Sequence, residues 1–496
     1  MRLSSEWHEK IEAEGPSFVP PNSPRRKNPA GLLELIKLYR TSLISVFSGA
    51  DYARKITSTR FGLLDVHTVN SPDLIREALQ IQHEALQAKT PQMRHALKPL
   101  LGDGLFVSDT EIWASRRAAV SPIIHTRNVR DFAPIMLEVV GEWRDVWAGL
   151  ADGAEVDMLS EMAELTAEVI SRTVFGRKLG RDFTAEVVRG FSQYQAHVDQ
   201  LDILSLIRAP DWVPRFQGAA ARRALRRVHR VIDDVIDEIA DGRGDDTAVI
   251  AQLFNAKDKE GRALTREAIR NEAIVIFMAG HETTANTLAW AWYLMSKCDR
   301  VRTKFHQEID ALGRPPKFED VHGLTYTRSI IEETLRLYPP VPILGRQALA
   351  DTTVGDTHIR KGSVVIICPY MLHRKHKVYS KPNHFIPERF DERVATRPDK
   401  YAYIPFAIGP RICPGLMFGM VESVIALATL GQAFAPRLKP DHQVKPLARL
   451  TLRPGATLPM ILDRRHAQQS ESAPEHTLSL IHISEPTRLE SKSRFQ

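Results

Sequence analysis

A ten-residue stretch near the end of the chain, FAIGPRICPG at residues 406–415, restricts the fold more than any other feature. It holds Cys413, one of three cysteines in 496 residues, with glycine and proline on both sides. A structural cysteine behaves as a small hydrophobe and fits any strand or helix. Glycine and proline instead fix the backbone in a non-repeating path and allow close approach. The stretch therefore predicts a backbone bent around a bulky group, with the Cys413 sulfur facing it.

The chemistry of this sulfur points to haem. A thiolate is a strong, soft donor that can hold haem iron from the proximal side and favour O–O cleavage. Backbone N–H groups and the N-terminus of a following helix stabilise the anion, and LMFGMVESVIALATL, 416–430, predicts such a helix. Arg411 would pair with a haem propionate. The pattern F-x-x-G-x-R-x-C-x-G is met in full, at Phe406, Gly409, Arg411, Cys413 and Gly415.

Composition and termini restrict the class of protein. The 67 basic and 60 acidic residues leave a net charge of +7, so we expect no nucleic-acid partner. The cysteines form neither a CxxC nor a zinc spacing, which indicates a reducing compartment. The N-terminus, MRLSSEWHEKIEAEG, has neither a signal nor a transit pattern. No run of about 18 apolar residues occurs, so the sequence predicts a cytoplasmic protein without a transmembrane anchor.

The chain divides into three parts. Residues 1–30 form a proline-rich lead-in, and residues 31–465 form one mainly α domain with small β-sheets. Alternation in 54–69, with a turn at Gly62, predicts a β-hairpin. The segment LTLRPGATLPMIL, 450–462, predicts a second hairpin around its Pro-Gly turn.

Residues 466–496 are expected to be a disordered tail. Within it, LSLIHISEPTR at 478–488 resembles the translated read-through of a sequencing-transposon adapter. We interpret 478–496 as an artefact of this origin; a genuine disordered tail is the alternative.

With these motifs the sequence resembles the cytochrome P450 family of haem-thiolate monooxygenases, in its soluble bacterial type, up to about residue 465. The resemblance implies the mainly α cytochrome P450 fold with small β-sheets and haem b as cofactor. It also implies that Cys413 is the axial iron ligand and that Phe406, Arg411 and Gly415 bind the cofactor.

A second motif, AGHETT at 279–284, lies in a helical pattern from near Thr265 to about Ser296. Adjacent threonines are poor helix formers, and their hydroxyls can bond to carbonyls one turn earlier and bend the helix. In the family this helix crosses the distal haem face, and Glu282 and Thr283 match its proton-relaying acid–alcohol pair. The alternative is an irregular core helix.

The third motif, Glu333-x-x-Arg336, needs its context, because a chain of this length contains roughly two such matches by chance. Here the helix ends at paired prolines, and PERF follows at 387–390. In the family, Glu333, Arg336 and Arg389 would form a buried charge network that holds the thiolate loop without taking part in the chemistry.

The remaining site residues follow from the resemblance. Trp113-x-x-x-Arg117 and Arg346 match propionate ligands, although Trp and Arg also pair as a stacked surface contact. The substrate pocket would be mostly apolar and without fixed charge, which favours a lipophilic small molecule. Its lining would comprise Phe106, Met278, Ala279, Thr283, Val341, Ile343 and Leu344.

The sequence therefore predicts NAD(P)H-dependent insertion of one atom of dioxygen into a hydrophobic small molecule. Since no flavin or iron–sulfur module follows the domain, we expect electrons from a separate ferredoxin or flavodoxin with its NAD(P)H reductase. Arg116, Arg127 and Arg130 would form a basic docking face for it. A haem-thiolate isomerase or peroxygenase usually lacks the acid–alcohol pair. A haem-based gas sensor would need neither Thr283 nor a redox partner.

Overall fold

The computed structural model describes residues 5–15, 17–28, 42–176, 180–197, 218–391 and 395–465, with single residues 31, 34, 38 and 393. Helices predominate among them. The α-helices are α1 (Ser5–Ala13), α2 (Gly49–Ala53), α3 (Pro72–Arg76), α4 (Pro91–Leu101), α5 (Thr110–Val120), α6 (Val129–Gly149), α7 (Met158–Phe175), α8 (Gly180–His197), α9 (Ala219–Ala240), α10 (Val249–Asn255), α11 (Arg266–Ser296), α12 (Asp299–Asp310), α13 (Thr325–Leu337), α14 (Pro369–Leu372) and α15 (Leu416–Ala433).

The 31-residue helix α11 runs through the centre of the core. It begins where the sequence predicts, because the Thr265 hydroxyl caps it by accepting from the Ala268 N–H at 3.2 Å. Nearly all of its residues from Ala268 to Met295 are buried, as in a helix surrounded by protein. Gly280 allows α7 to pack directly on it, since a Cβ there would lie 2.8 Å from the Ile170 Cδ1 atom.

Helix α15 packs beside α6, α11 and α13. Within the described part of the chain it is the one helix long and apolar enough to cross a membrane, yet 72% of its 18-residue window is buried inside the protein. A core helix meets the same criterion. Its position in the interior matches the helix predicted to follow Cys413.

The strands form small sheets at the periphery of the helical core. The 54–69 hairpin is confirmed: its arms pair antiparallel, and Gly62 turns with φ +60°. The first arm is an edge of a four-stranded sheet in the order β1 (Ile56–Phe61), β2 (Leu64–Val69), β7 (Val364–Ile367) and β4 (Leu344–Gln347). The strands are β1 (Ile56–Phe61), β2 (Leu64–Val69), β3 (Ala154–Asp157), β4 (Leu344–Gln347), β5 (Thr352–Val354), β6 (Thr357–Ile359), β7 (Val364–Ile367), β8 (Arg437–Leu438), β9 (Leu447–Ala448), β10 (Leu452–Arg453) and β11 (Pro459–Leu462).

The predicted hairpin within 450–462 is wrong. Its two arms pair with different partners: β10 with β9, and β11 with β3 and β8. Pairing with β10 alone would leave one edge of β11 without hydrogen-bond partners. Between β3 and β8 the last strand instead has partners on both edges and buries Met460 and Leu462.

The described part of the proline-rich lead-in packs on the domain. Residues 17–28 of the proline-rich lead-in are irregular and lie against it, with the Tyr338 hydroxyl donating to the Pro21 carbonyl at 2.6 Å. The predicted disordered tail 466–496, including the stretch interpreted as adapter-derived, lies outside the described residues.

Candidate haem-binding site

The loop that carries Cys413 is held by its own backbone. The Cys413 N–H donates to the Phe406 carbonyl at 2.9 Å, and α15 begins immediately after Gly415. Gly409 has φ +77°, and a Cβ there would lie 2.5 Å from the Leu79 carbonyl oxygen, so only glycine fits. Ala407 has φ +59°, which costs a non-glycine residue roughly 1–2 kcal/mol. The bent loop predicted from the sequence is therefore present and strained.

Cys413 differs from the other two cysteines in its exposure. Cys298 and Cys368 are buried, whereas Cys413 is exposed. Burial raises the pKa of Cys368 to about 12, which leaves it an inert thiol. The loop partly desolvates the Cys413 sulfur and raises its pKa, against the opposing effects of the Gly415 N–H and the Arg117 charge. A coordinated metal deprotonates such a thiol outright, so Cys413 is the cysteine suited to ligation.

Three predicted propionate ligands come together beside this loop. The Arg411 guanidinium lies 4.5 Å from the centre of the Trp113 ring. Burial lowers the pKa of both Arg346 and Arg411 to about 10, and the Arg346 charge further lowers that of Arg411. Among the described residues, Asp109 is the carboxylate that offsets them, at 3.3 Å from Arg411. The site therefore carries an excess of buried positive charge.

Lys89 adds a cation that the sequence analysis missed. Burial, followed by the charges of Arg346 and Arg411, lowers its pKa well below the usual value. Its ammonium lies 4.8 Å from the centre of the Phe106 ring. No local pattern marks this lysine, because Arg346 and Arg411, whose charges lower its pKa, lie far along the chain.

These residues fit a group that carries two carboxylates next to a metal. The Arg411 Nε atom is buried and has no hydrogen-bond partner among the described residues. Arg117 donates to the Ile412 carbonyl at 2.9 Å, so it joins the cationic cluster to the cysteine loop. A thiol beside guanidinium groups that share a single carboxylate is the donor set that haem, with its propionates, requires.

The predicted distal motif forms an accessible strip on α11. Ala279 and Thr283, one turn apart, are accessible, while Met278, Glu282 and Thr284 are buried. The Thr283 hydroxyl donates to the Ala279 carbonyl at 2.8 Å, which is the back-bonding expected from the sequence. The strip thus presents a small apolar residue and a hydroxyl together.

Glu282 does not share this strip. Its buried carboxylate accepts from the Thr451 hydroxyl at 2.7 Å and pairs with Arg453. Burial would raise the pKa of Glu282, but the charges of Arg453 and His281 and the hydrogen bonds from Arg453 and Thr451 together outweigh it and lower the pKa. Successive helical residues point about 100° apart, so the carboxylate is held toward β10. In this conformation the structure does not join it to the Thr283 hydroxyl.

The predicted charge network is assembled and completely buried. Arg336 binds Glu333 through two bonds, at 2.6 and 2.8 Å, and Arg389 reaches the same carboxylate at 3.3 Å. The Ile386 N–H adds a bond of 2.9 Å. Burial would lower the pKa of Arg336, yet the charge and hydrogen bonds of Glu333, with smaller contributions from Tyr379 and Tyr403, together outweigh it and the pKa rises. Glu333 therefore contacts both of the predicted arginines, Arg336 and Arg389.

The predicted pocket residues lie on separate segments. Phe106 and Ile343 pack against the main core cluster, to which Met278 belongs, and Val341 is half-buried. Leu344 instead packs with the second cluster, which lies over the four-stranded sheet. The structure thus places Phe106, Met278 and Ile343 at the main core and Leu344 at the second cluster.

One residue of the predicted docking face, Arg116, is largely buried. The Arg116 side chain is only 13% exposed, because its guanidinium binds Asp103 at 2.9 Å and faces Glu272 at 3.6 Å. Arg127 is exposed, and Arg130 is exposed with Glu319 at 3.8 Å. Including Arg116 was wrong, since its guanidinium is turned inward to the partly exposed Asp103 and the buried Glu272.

Comparison with known proteins decides the family. The model of the family described as cytochrome P450 matches residues 37–459. The chain belongs to the cytochrome P450 family. It is 30% identical over 411 residues to cyclooctatin synthase of Streptomyces melanosporofaciens. This alignment covers 81% of this chain and 87% of that protein. Human cytochrome P450 4V2 is 29% identical, over 77% of this chain and 78% of its own.

Solved structures agree on the fold. The heme domain of cytochrome P450DA superposes with a TM-score of 0.75 at 23% sequence identity. The superposition covers 91% of this chain and 99% of that domain. The predicted cytochrome P450 fold is therefore confirmed. As a member of the family, the protein is a haem-thiolate monooxygenase with haem b as its cofactor.

Proposed function

We propose that this cytochrome P450 is a cytoplasmic enzyme that inserts one oxygen atom into a C–H or C=C bond of a lipophilic small molecule. The observation that carries the proposal is the accessible strip of Ala279 and Thr283 in the mostly buried middle of α11. A hydroxyl on such a strip can hold water and pass a proton, whereas an apolar core helix has no need of it.

Bound haem b supplies the binding and reductive activation of dioxygen. Cys413 would hold the iron, and Arg117, Arg346 and Arg411 would pair with the propionates. Thr283 would hold a water molecule and pass its proton. Glu282, kept ionised by Arg453, would accept a proton from solvent and deliver it after leaving that pair.

The substrate would bind mainly through buried apolar surface. Phe106, Met278 and Ile343 belong to or pack on one apolar cluster, and Ala279 adds a small accessible surface beside Thr283. Burial of apolar area contributes about 25 cal/mol per Å² and does not discriminate strongly among molecules of similar size. Shape therefore selects among lipophilic substrates.

Electrons would come from a separate ferredoxin or flavodoxin and its NAD(P)H reductase. A groove of about 680 Å³ beside the cysteine loop is lined by Trp113, Arg117, His125 and Arg127, among others. Exposed Arg127 and Arg130 would attract an acidic carrier, mainly by raising the association rate.

The test combines binding with turnover. Fatty acids, terpenoids and steroids are titrated while the haem Soret band is followed, and binders are then incubated with NAD(P)H, ferredoxin, reductase and isotopically labelled dioxygen. One labelled oxygen atom in the product supports the proposal. Product formed from a hydroperoxide without reductant would indicate a peroxygenase, and spectral binding without any product would indicate a sensor.

A further inference from the structure

His373 connects the buried charge network to the cysteine loop. The residue follows α14 and is fully buried. Its ring Nδ1 lies 3.2 Å from the Arg336 carbonyl oxygen, and its Nε2 lies 2.9 Å from the Ile404 backbone nitrogen. A carbonyl can only accept and an N–H can only donate, so Nδ1 carries the proton and Nε2 is the acceptor.

A second bond ties His373 to the same arginine. Arg336, already bound twice to Glu333, donates from Nη1 to the His373 carbonyl at 2.9 Å. Burial, followed by the Arg336 charge, lowers the pKa of His373 to about 3, so the ring is neutral. The histidine is therefore fixed to the network through both its backbone and its ring.

From Ile404 the bonds continue into the loop. The Ile404 carbonyl accepts from the Ala407 N–H at 3.1 Å, which closes the turn where Ala407 adopts its left-handed conformation. Between them lies Phe406, whose carbonyl accepts from the Cys413 N–H at 2.9 Å. A strained turn persists only where its surroundings over-determine it, and the His373 ring contributes a bond at its start.

We propose that His373 is a positioning residue for the haem thiolate. Its Nε2 accepts from Ile404 and thereby fixes the turn from which the Phe406 carbonyl holds Cys413. Ile404 is itself buried, so loss of the acceptor leaves a buried N–H unpaired unless the backbone moves. The proposal rests on the haem-thiolate site and needs no particular substrate.

Two substitutions separate the two ring bonds. In His373→Gln the amide oxygen can reach the Nε2 position and keep an acceptor for Ile404. In His373→Asn the amide nitrogen can take the Nδ1 position, which keeps the bond to Arg336 and leaves Ile404 unpaired. His229→Asn is the control, because that partly buried ring also bonds a carbonyl, of Leu100 at 3.1 Å.

The readout is the Soret band of the ferrous–CO complex, which distinguishes thiolate-ligated from thiol-ligated haem, recorded without substrate or redox partner. We expect His373→Gln to keep about the wild-type ratio of thiolate-ligated to thiol-ligated haem. His373→Asn should lower the ratio by about tenfold, the usual order of an unpaired buried donor. The reduction potential of the haem should change in His373→Asn and should stay near the wild-type value in His373→Gln.

Several results would overturn the proposal. Equal ratios of thiolate-ligated to thiol-ligated haem in His373→Gln and His373→Asn would overturn it. Equal losses of thermal stability in the two variants, with an unshifted Soret band, would also overturn it. If His373→Asn retains no haem while His373→Gln does, the acceptor role is supported. Since neither substrate nor carrier is present, failure to find a substrate leaves this inference untouched.

Discussion

The chain contains the same E-x-x-R spacing in two environments, which allows a controlled test of the buried network. Glu333 and Arg336 are fully buried. Glu267 and Arg270 lie one turn apart on α11 with an N–O distance of 3.9 Å, and their side chains are 73% and 21% exposed. Glu333→Gln and Glu267→Gln therefore remove the same charge from the same spacing.

The expected difference follows from what each carboxylate binds. Glu333 accepts from four N–H groups, at 2.6, 2.8, 2.9 and 3.3 Å. A glutamine there replaces one acceptor with a donor that faces a guanidinium. Breaking a buried pair in this way costs about 3–5 kcal/mol. The exposed pair contributes about 0.2–0.5 kcal/mol, so the two variants should differ by about 2.5 kcal/mol or more.

The measurement is equilibrium unfolding in urea, which carries no charge to screen the exposed pair. Unfolding is followed by tryptophan fluorescence and by the ferrous–CO band. The free energy of unfolding is then obtained from the midpoint and slope of the transition. A Glu333→Gln loss within about 1 kcal/mol of the Glu267→Gln loss would refute the reasoning. Should Glu333→Gln fail to fold, Arg389→Gln replaces it, because that arginine makes a single bond to Glu333, at 3.3 Å, beside its bonds to the Ser380 hydroxyl and the Lys381 carbonyl, and an intermediate loss is expected.

Four further outcomes test the site. Cys413→His should abolish the red-shifted ferrous–CO band, and serine at the other two cysteines should keep it; the reverse pattern would reassign the ligand. Thr283→Ala should retain that band yet lower the ratio of product to NAD(P)H and release hydrogen peroxide, and an unchanged ratio would make the hydroxyl structural. Arg127→Glu should slow reduction by ferredoxin most at low salt, and salt-independent reduction would contradict the docking face. Arg453→Ala removes the charge that lowers the Glu282 pKa, so the acidic limb of the turnover profile should move to higher pH, and an unmoved limb would exclude that carboxylate from proton delivery.

Features encoded by neighbouring residues could be predicted from the sequence. Thr265 marks the start of α11 because a hydroxyl cap acts on N–H groups three residues away. Gly62 marks the first hairpin because its positive φ suits the turn between two alternating runs. The paired prolines selected Glu333 from several E-x-x-R matches, since they end the helix that carries it.

Features encoded by remote residues could not be predicted. Glu282 finds Arg453 across 171 residues, which turns the carboxylate away from Thr283. Arg116 faces Glu272, and His373 bonds Ile404, through contacts that no local pattern contains. In each case the fold decides which polar group meets which, and side-chain type alone leaves that choice open.

The concentration of Lys89, Arg346 and Arg411 around one aspartate bears on how the protein matures in a cell. Buried like charges repel one another, so the polypeptide alone is destabilised at the place where a dianionic cofactor would relieve the repulsion. Cofactor binding then adds directly to folding free energy. The yield of soluble protein should accordingly follow the haem supply of the expressing cell, and chains synthesised faster than haem should be degraded first.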